Sequence, residues 1–342
     1  MKLLTRGEKD YTKSNPPDVC TMSIINSTYI GPPAYLFNGH METIIPSIFR
    51  KISNVSYVRE KIDTPDGDFL NLDWSKVNSS KLLIVSHGLE GHSERHYVRG
   101  IVKLFNSSEI DVLVWNNRSC GGEMNLNPML YHHGASYDLD TTVCHVLKNH
   151  SYEEIYLTGI SMGGAQTLKY LGEKGYDLPF EIKRAAVYST PCNLLSSAAT
   201  LKHRGNSFYR NRFLGKLKIK IRAKAAQYPN LLDLDLLEKV SDFDTFDTYF
   251  TAVLHGFRDA EDFYRSVSAD QFMPFIQIPT LVLNALNDPL LGPECYPTEL
   301  AESMDLLTLE MPDRGGHTGF LVGGQEFTWA EHRIQEFLLN QG

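Results

Sequence analysis

The sequence predicts an α/β protein with a mostly parallel, eight-stranded sheet, helices on both of its faces and a helical cap inserted after the sixth strand. Short apolar runs alternate with segments of helical spacing, as expected for strands joined by crossover helices. Most of these runs are continuously apolar, which is typical of strands covered on both faces. One interval, 193–275, is much longer than a single crossover helix needs, and it predicts the inserted cap.

The first two predicted strands alternate between polar and apolar residues and flank a Pro-Asp-Gly turn, so they are expected to form an antiparallel hairpin. Most of the others are short, continuously apolar runs. The eight predicted strands are 54–62, 66–74, 81–87, 111–116, 154–160, 184–190, 279–286 and 306–311. Segments with helical spacing are 96–107, 136–150, 165–175 and 327–340.

This order of elements divides the chain into three parts. Residues 1–30 are polar and contain prolines, which predicts a loosely attached lead-in. Residues 31–192 and 276–342 form the predicted α/β core, and residues 193–275 form the predicted cap. Sites in such sheets form beyond the carboxyl ends of the strands, so the cap is expected to lie over that edge.

The composition excludes some classes of protein. The 342 residues carry a net charge of −8, which argues against a nucleic-acid-binding surface over the whole molecule. The N-terminus lacks the apolar region of a signal peptide, and no apolar run approaches the ~18 residues of a membrane span. Five scattered cysteines without a Cys-x-x-Cys pair indicate reduced thiols, so a cytoplasmic protein is expected. These cysteines are Cys20, Cys120, Cys144, Cys192 and Cys295.

Ser161 stands in the stretch YLTGISMGGAQTLKYL (156–171), between Gly159 and Gly163. The pattern Gly-x-Ser-x-Gly follows a predicted strand and begins a predicted helix, which is the context of a nucleophile elbow. Glycines suit the sharp turn because side chains there would collide with the strand and the helix. The alternative is a joint of small residues without chemistry, so the interpretation depends on partners for the serine.

A serine nucleophile needs a histidine to accept its proton and an acid to orient that histidine. Asp288 follows a predicted strand on an Asp-Pro turn, and His317 lies in a glycine-rich loop after the next strand. The order Ser, Asp, His along the chain is that of α/β-hydrolases. Asp313, on the loop of His317, is a rival acid, and His255, inside the predicted cap, is a rival base.

Acyl transfer also needs two backbone N–H groups that bind the oxyanion. Met162 directly follows the serine and is the first expected donor. The second is expected in the loop SHGLEGHSERHY, where His87 and Gly88 follow the third strand and Leu89 stands at the donor position. The alternative is a glycine-rich loop that only turns the chain.

No metal and no cofactor are predicted. His92 and His96 are four residues apart, but the glutamate between them is not at the position that the zinc motif His-Glu-x-x-His requires. His132 and His133 are adjacent, so they cannot both face one ion from a helix or a strand.

These motifs resemble the YheT-like branch of the α/β-hydrolases, which also includes membrane-anchored ABHD lipases and ester-forming ethanol acyltransferases. The resemblance runs from about residue 30 to 340 and rests on blocks that occur in the same order. The blocks are FNGHMETIIPSIFR (37–50), TPDGDFLNLDW (64–74), SHGLEGHS (86–93), NNRSCGGEMN (116–125), YHHGASYDL (131–139), GISMGG (159–164), FDTYFTAVLHGFRDAEDFYRSVSA (246–269), NALNDPLL (284–291) and GGHTGF (315–320).

The resemblance implies that Ser161 is the nucleophile, Asp288 the acid and His317 the base in the hydrolysis or transfer of carboxylic esters. One block departs from the family: relatives usually read Phe-Arg-Gly-Cys-Ser-Gly-Glu where this chain has Asn-Arg-Ser-Cys-Gly-Gly-Glu over 117–123. This exchange is expected to reshape a loop near the site. The N-terminal anchor of the eukaryotic relatives has no counterpart here, which favours a soluble enzyme.

Two stretches of the predicted cap bear on the substrate. Residues 201–227 carry nine Lys or Arg and no acid. They predict contact with an anionic lipid surface or an acidic acyl substrate, or else a solvated helix face that pairs with acids at 233–247. The aromatic stretch 243–257 is expected to line an acyl pocket or to pack in the core. His255 and Phe257 in this stretch, and His87 before the oxyanion loop, are expected near the substrate or the cap.

The sequence therefore predicts a serine hydrolase that cleaves small carboxylic esters, short- to medium-chain acyl esters or lipids, through an acyl-enzyme. Acyl transfer to an alcohol by the same residues is the closest alternative. A ligand-binding or scaffold protein that kept only the fold is the alternative of another class. No nucleic acid partner is predicted, and peripheral membrane contact is expected, if anywhere, through 201–227.

Overall fold

The parallel strands determine where the loops beyond their carboxyl ends lie. A computed structural model describes residues 23–340. The strands are β1 (Ile24–Ile25), β2 (Val58–Asp63), β3 (Phe69–Ser75), β4 (Lys81–Ser86), β5 (Asp111–Asn116), β6 (Glu154–Ile160), β7 (Ile182–Tyr188), β8 (Thr280–Leu283) and β9 (Leu307–Glu310).

All nine strands form one sheet in the order β1-β9-β8-β7-β6-β4-β5-β3-β2. Only the β2–β3 and β3–β5 pairs of this sheet are antiparallel, so the predicted hairpin and the mostly parallel sheet are confirmed. The eight predicted strands are all present. The ninth, β1, adds two residues of the predicted lead-in to the edge, where Ile24 pairs with Leu309. The rest of the lead-in, residues 1–22 with Cys20, lies outside the described residues.

The four predicted helices are present within a few residues of their expected ends. The α-helices are α1 (Gly39–Phe49), α2 (His96–Asn106), α3 (Ser136–Asn149), α4 (Met162–Lys174), α5 (Leu194–Lys202), α6 (Ser207–Gln227), α7 (Leu234–Lys239), α8 (Phe243–Phe246), α9 (Ala252–His255), α10 (Ala260–Val267), α11 (Thr298–Glu302) and α12 (Trp329–Leu339). A π-helical turn, Asp247–Thr251, joins α8 to α9. Short 3-10 turns are Gly175–Asp177, Arg204–Asn206, Ala269–Gln271, Met273–Phe275 and Pro293–Cys295.

Apolar side chains of the strands point alternately to the two faces of the sheet, as strand geometry requires. In β4, Leu82 and Ile84 belong to an apolar cluster shared with α3 and α4, whereas Leu83 and Val85 belong to another shared with α2 and α12. Both faces are therefore covered by helices, as the continuously apolar strands predict. No helix within residues 23–340 has the length and apolar character needed to cross a membrane.

The interval 193–275 between β7 and β8 contains α5 to α10, and we call it the helical insertion. Apolar side chains of α6, α7 and α8 pack into a cluster of their own, which Leu130 of the sheet domain joins. A smaller cluster links α5 to α10 through Ala198 and Phe263. The insertion thus has its own apolar cluster, and it packs on the sheet domain through Leu130.

Candidate active site

Ser161 occupies a tight turn between β6 and α4. Its backbone has φ 56° and ψ −123°, a conformation that residues other than glycine rarely adopt. The Ser161 N–H donates to the Tyr188 carbonyl of the neighbouring strand at 3.0 Å, which helps to hold this turn. The serine hydroxyl is thereby presented beyond the carboxyl ends of the parallel strands, where α/β folds form their sites.

The glycines of the motif leave no room for a side chain. A Cβ atom on Gly159 would lie 2.4 Å from the Gly163 carbonyl oxygen, and one on Gly163 would lie 2.1 Å from the Ser86 carbonyl oxygen. Backbone atoms cannot give way as a flexible side chain can. The two glycines therefore permit β6 and α4 to approach each other at the turn.

We expect Gly163→Ala to lower the free energy of unfolding by about 3 kcal/mol or more, because the new methyl group must displace the β4 backbone. Gly215→Ala is the matched control, since Gly215 is an exposed residue inside α6 and a Cβ there meets nothing within 4 Å. That change is expected to raise stability by about 0.5–1 kcal/mol. Urea unfolding of both variants checks the contrast, and an equally stable Gly163→Ala protein would contradict it.

The structure brings Ser161, His317 and Asp288 into one chain of hydrogen bonds. Ser161 Oγ lies 2.9 Å from His317 Nε2, and His317 Nδ1 lies 2.8 Å from Asp288 Oδ2. The other Asp288 oxygen accepts the Leu290 N–H at 2.9 Å, and the aspartate side chain is fully buried. Because the carboxylate can only accept, Nδ1 carries the proton, and Nε2 is free to accept the proton of the serine.

The rival residues stand outside this chain of hydrogen bonds. Asp313 is exposed, and its side chain has no hydrogen bond or ion pair within the described part of the protein. His255 lies in the helical insertion with its ring 4.4 Å from that of His132. Burial lowers the pKa of His255 to about 4. Neither residue contacts Ser161 or His317.

Two residues of α1 hold the His317 loop, and no motif in the sequence indicates a role for them. Glu42 accepts hydrogen bonds from the Gly315 N–H at 2.6 Å and from the Arg314 guanidinium. Thr43 Oγ1 accepts the His317 N–H at 2.8 Å. The only sequence signal was their place in the block FNGHMETIIPSIFR, where a carboxylate interrupts an apolar helix.

The loop after β4 lies beside Ser161, as the oxyanion prediction requires. A Cβ on Gly88 would lie 3.2 Å from Ser161 Cβ, so the two backbones approach closely. The Leu89 and Met162 N–H groups have no acceptor within residues 23–340. The backbone N–H groups of Leu89 and Met162 are therefore available to bind an oxyanion, and the oxyanion role itself stays a prediction.

A buried cluster fixes the residue after Leu89. Glu90 has a left-handed backbone with φ 55°, and its N–H donates to the Tyr131 hydroxyl at 3.0 Å. The Glu90 carboxylate accepts from Tyr131 and from Lys220 Nζ, at 2.5 and 2.6 Å. Since Lys220 belongs to α6, this cluster joins the helical insertion to the loop beside Ser161.

The other residues predicted near the substrate or the cap have different positions. His87 is fully buried; its Nδ1 donates to the Gly88 carbonyl and its Nε2 accepts the Asn117 N–H, so it supports the loop from below. Burial lowers the pKa of His87 to about 3. His255 lines the cavity described next, but Phe257 packs against Phe263 and lies outside its wall.

A cavity runs from Ser161 between the sheet domain and the helical insertion, and we call it the apolar cavity. Phe243, Phe246 and Phe250 belong to the packed cluster of the insertion and also line this cavity. The expected core packing is therefore present, and the acyl role of the pocket stays a prediction. Burial raises the pKa of Asp247 in the cavity wall to about 7 and lowers that of His133 to about 4, so burial favours the neutral form of both groups. The cavity therefore suits an uncharged, apolar group.

A second cavity meets the first at Ser161 and His317. Five residues line both cavities, namely Leu89, Ser161, Phe213, Leu290 and His317. A ligand that reaches Ser161 can thus extend in two directions.

Potential metal ligands lie together elsewhere. Glu60, His145 and His150 place one ligand atom each within 4.8 Å of one another. Glu60 is on β2, the edge strand, which is four strands away from β6 in the sheet. The expectation of a metal-free site at Ser161 stays a prediction.

Comparisons with known proteins agree with this architecture. The family described as alpha/beta hydrolase fold matches residues 81–324. YheT of Escherichia coli (strain K12) is 30% identical over 310 residues, which cover 88% of this chain and 90% of that protein. Phospholipase ABHD3 of Bos taurus is 27% identical over 327 residues, covering 92% of this chain and 79% of that protein.

Further comparisons agree as well. Monoacylglycerol lipase of Saccharomyces cerevisiae is 27% identical over 322 residues, covering 92% of this chain and 67% of that protein. Among solved structures, the esterase Pf2001 of Pyrococcus furiosus superposes with a TM-score of 0.56 at 19% identity, covering 84% of this chain and 95% of that one, which supports the fold. The chain therefore belongs to the α/β-hydrolase family, and within it to the YheT-like branch that the nine sequence blocks indicate.

Proposed function

We propose that this protein is a serine esterase that cleaves carboxylic esters with apolar acyl chains through an acyl-enzyme on Ser161. The observation that carries the proposal is the hydrogen-bonded chain from Ser161 through His317 to buried Asp288, which opens onto the apolar cavity. Family relatives named phospholipase and monoacylglycerol lipase support ester chemistry.

In the first half of the reaction, His317 Nε2 takes the Ser161 proton while Ser161 Oγ attacks the ester carbonyl carbon. The carbonyl oxygen becomes an oxyanion, and the Leu89 and Met162 N–H groups donate to it. Asp288 stabilises the charged imidazole. The tetrahedral intermediate then expels the alcohol, whose oxygen receives the proton from His317, and the acyl group stays on Ser161.

In the second half, His317 takes a proton from water, and the resulting hydroxide attacks the acyl carbon. The Ser161–acyl bond breaks, Ser161 Oγ regains a proton from His317, and the carboxylic acid leaves. An alcohol in place of water would give a new ester by the same steps.

The proposal is tested with a fluorophosphonate probe, which reacts with activated serines. We expect one equivalent of label, and peptide mapping should place it on Ser161. The wild-type protein should also hydrolyse p-nitrophenyl esters of two to twelve carbons, and added ethanol shows how much acyl transfer competes. A protein that neither takes up the label nor cleaves any ester would favour the non-catalytic alternative.

Ala198 allows a test of the acyl site. It is a buried residue of α5 in the wall of the apolar cavity. Ala198→Phe fills part of that cavity, so we expect kcat/KM for the octanoyl ester to fall at least about tenfold, since one methylene in such a pocket already changes discrimination by ~10-fold. The acetyl ester serves as the internal control and should lose less than about threefold. Equal losses for both esters would mean that the acyl chain lies elsewhere.

A further inference from the structure

The wall of the second cavity differs in charge from that of the apolar cavity. Arg95, from the loop before α2, and Arg212 and Lys216, from α6, line it together. Glu90 is the single acidic residue in this wall, and its carboxylate already accepts hydrogen bonds from Lys220 and Tyr131. We call it the cationic cavity.

The three cations lack acidic partners. Within residues 23–340, no carboxylate lies within ion-pair distance of Arg95, Arg212 or Lys216, although 21 ion pairs join other side chains. The Arg95 guanidinium donates to the Glu90 carbonyl at 2.9 Å, which positions it but leaves its charge uncompensated. Burial, Arg95 and Arg212 lower the pKa of Lys216, whereas Glu90 raises it; the pKa is lowered on balance, so Glu90 offsets the repulsion among these cations only in part.

The arrangement of α6 shows that these side chains are not simply a solvated face. Arg212, Lys216, Lys220 and Lys224 are spaced by four residues, so they lie along one side of the helix. Lys220 binds Glu90, and Lys224 donates to the Asn125 carbonyl at 2.6 Å. Lys220 and Lys224 therefore face the sheet domain, whereas the exposed Arg212 and the half-buried Lys216 line the cavity.

Other cations of the segment 201–227 fit the prediction that they pair with acids of 233–247. Arg222 bonds Glu238 at 2.7 Å, and Lys202 bonds Asp244. That part of the expectation is confirmed for these two pairs. Arg212 and Lys216 differ from them in that they share a cavity wall with Ser161 and His317.

We propose that the cationic cavity binds a phosphate on the alcohol portion of the ester substrate. The proposal rests on the proposed function: the acyl chain lies in the apolar cavity, the scissile carbonyl lies at Ser161, and the alcohol extends into the cationic cavity. Arginine and lysine donate charge-assisted hydrogen bonds to phosphate oxygens, which are strong where solvent is partly excluded.

The phosphate takes no part in bond changes. The bond between the acyl carbon and the alcohol oxygen breaks, His317 supplies the proton to that oxygen, and the alcohol leaves with its phosphate intact. Arg95, Arg212 and Lys216 thus determine which ester binds well.

The test compares two soluble esters with the same acyl chain, 1-hexanoylglycerol and 1-hexanoylglycerol 3-phosphate, below their critical micelle concentrations. We expect the wild-type protein to prefer the phosphate ester at least about tenfold in kcat/KM, mainly through KM, as one or two charge-assisted hydrogen bonds provide. Arg212→Gln with Lys216→Met should reduce that preference to about twofold or less. Arg222→Gln is the matched control, because it removes a charge from α6 outside the cavity, and it should keep the wild-type preference.

Binding is also measured without turnover, by calorimetry of glycerol 3-phosphate and, separately, inorganic phosphate with the Ser161→Ala protein. The first should bind more tightly than the second and lose at least about tenfold in affinity in the Arg212→Gln, Lys216→Met background. This arm distinguishes the two proposals: if the wild-type protein cleaved no ester while the Ser161→Ala protein still bound glycerol 3-phosphate, the esterase proposal would fail and the anion site would stand.

Three results would overturn the anion site. One is equal kcat/KM for the two soluble esters in a protein that cleaves both. Another is a preference that Arg222→Gln lowers as much as the double variant does. The third is a preference that exists only when the esters are in vesicles, which would assign the cations to attraction by a lipid surface.

Discussion

Replacing Ser161 with alanine is expected to lower kcat for p-nitrophenyl hexanoate hydrolysis by about 10⁵-fold or more, as removal of the nucleophile does in serine hydrolases. No neighbouring hydroxyl can replace it, because His317 Nε2 has Ser161 Oγ as its single hydrogen-bond partner in the described chain. The residual rate should come from the oxyanion donors and binding alone.

The same variant should remain folded. Alanine keeps the Cβ atom that already fits between Gly88 and the turn, and the Ser161 N–H bond to Tyr188 is a backbone contact. We therefore expect the melting temperature to change by only a few degrees, measured by circular dichroism. Fluorophosphonate labelling should disappear in parallel. Undiminished turnover by a folded Ser161→Ala protein would exclude Ser161 as the nucleophile.

The local part of this site could be predicted from sequence because it depends on adjacent residues. Gly159, Ser161 and Gly163 belong to one turn, and the steric demand that selects glycine acts within a few residues and the strand beside them. Asp288 and His317 required a further step, from strand pattern to loop position. Parallel strands place the loops after β8 and β9 at the same edge of the sheet as Ser161, which is why the three side chains lie together in the structure.

The residues that hold the loops of the site in place could not be predicted in the same way. Glu42 contacts Gly315 across 273 residues of sequence, and nothing in its own helix indicates which loop it binds. The strand β1 is two residues long, too short for any periodicity, and its existence depends on β9 having a free edge. Such contacts follow from the tertiary arrangement and not from a local pattern.

The basic segment shows how one pattern can have several physical meanings. The nine cations within 201–227 predict an anionic lipid surface, an acidic acyl substrate or a solvated helix face. In the structure Arg222 pairs with an acid, Lys220 and Lys224 fasten α6 to the loops below it, and Arg212 and Lys216 face the cavity at Ser161. Contact of this segment with a membrane stays a prediction. The number of cations indicates a role for charge in this segment, but only the direction of each side chain shows whether it pairs with an acid, fastens α6 or lines the cavity.

Replacing Asp288 with asparagine should distinguish the proposed acid from its rival. We expect kcat to fall about 10⁴-fold with little change in KM, because the amide that replaces Oδ2 can donate to Nδ1 and so favours the histidine tautomer with its proton on Nε2. That tautomer cannot accept the Ser161 proton. The geometry itself should persist, since the side-chain oxygen can still accept the Leu290 N–H.

Asp313→Asn is the matched control, because it makes the same chemical change on the loop of His317 at an exposed position without hydrogen bonds in the described protein. It should keep kcat within about twofold, as surface substitutions usually change little. Steady-state kinetics of both variants, with melting temperatures to verify folding, separate the two aspartates. An inactive Asp313→Asn protein beside an active Asp288→Asn protein would contradict this assignment. The 2.8 Å hydrogen bond between Asp288 and His317 would then orient the histidine without serving catalysis, and Asp313 would be the catalytic acid. The burial of Asp288 argues that Asp288→Asn is the inactive variant. A fully buried carboxylate beside an imidazole stabilises the charged form of that imidazole more strongly than a carboxylate in water does.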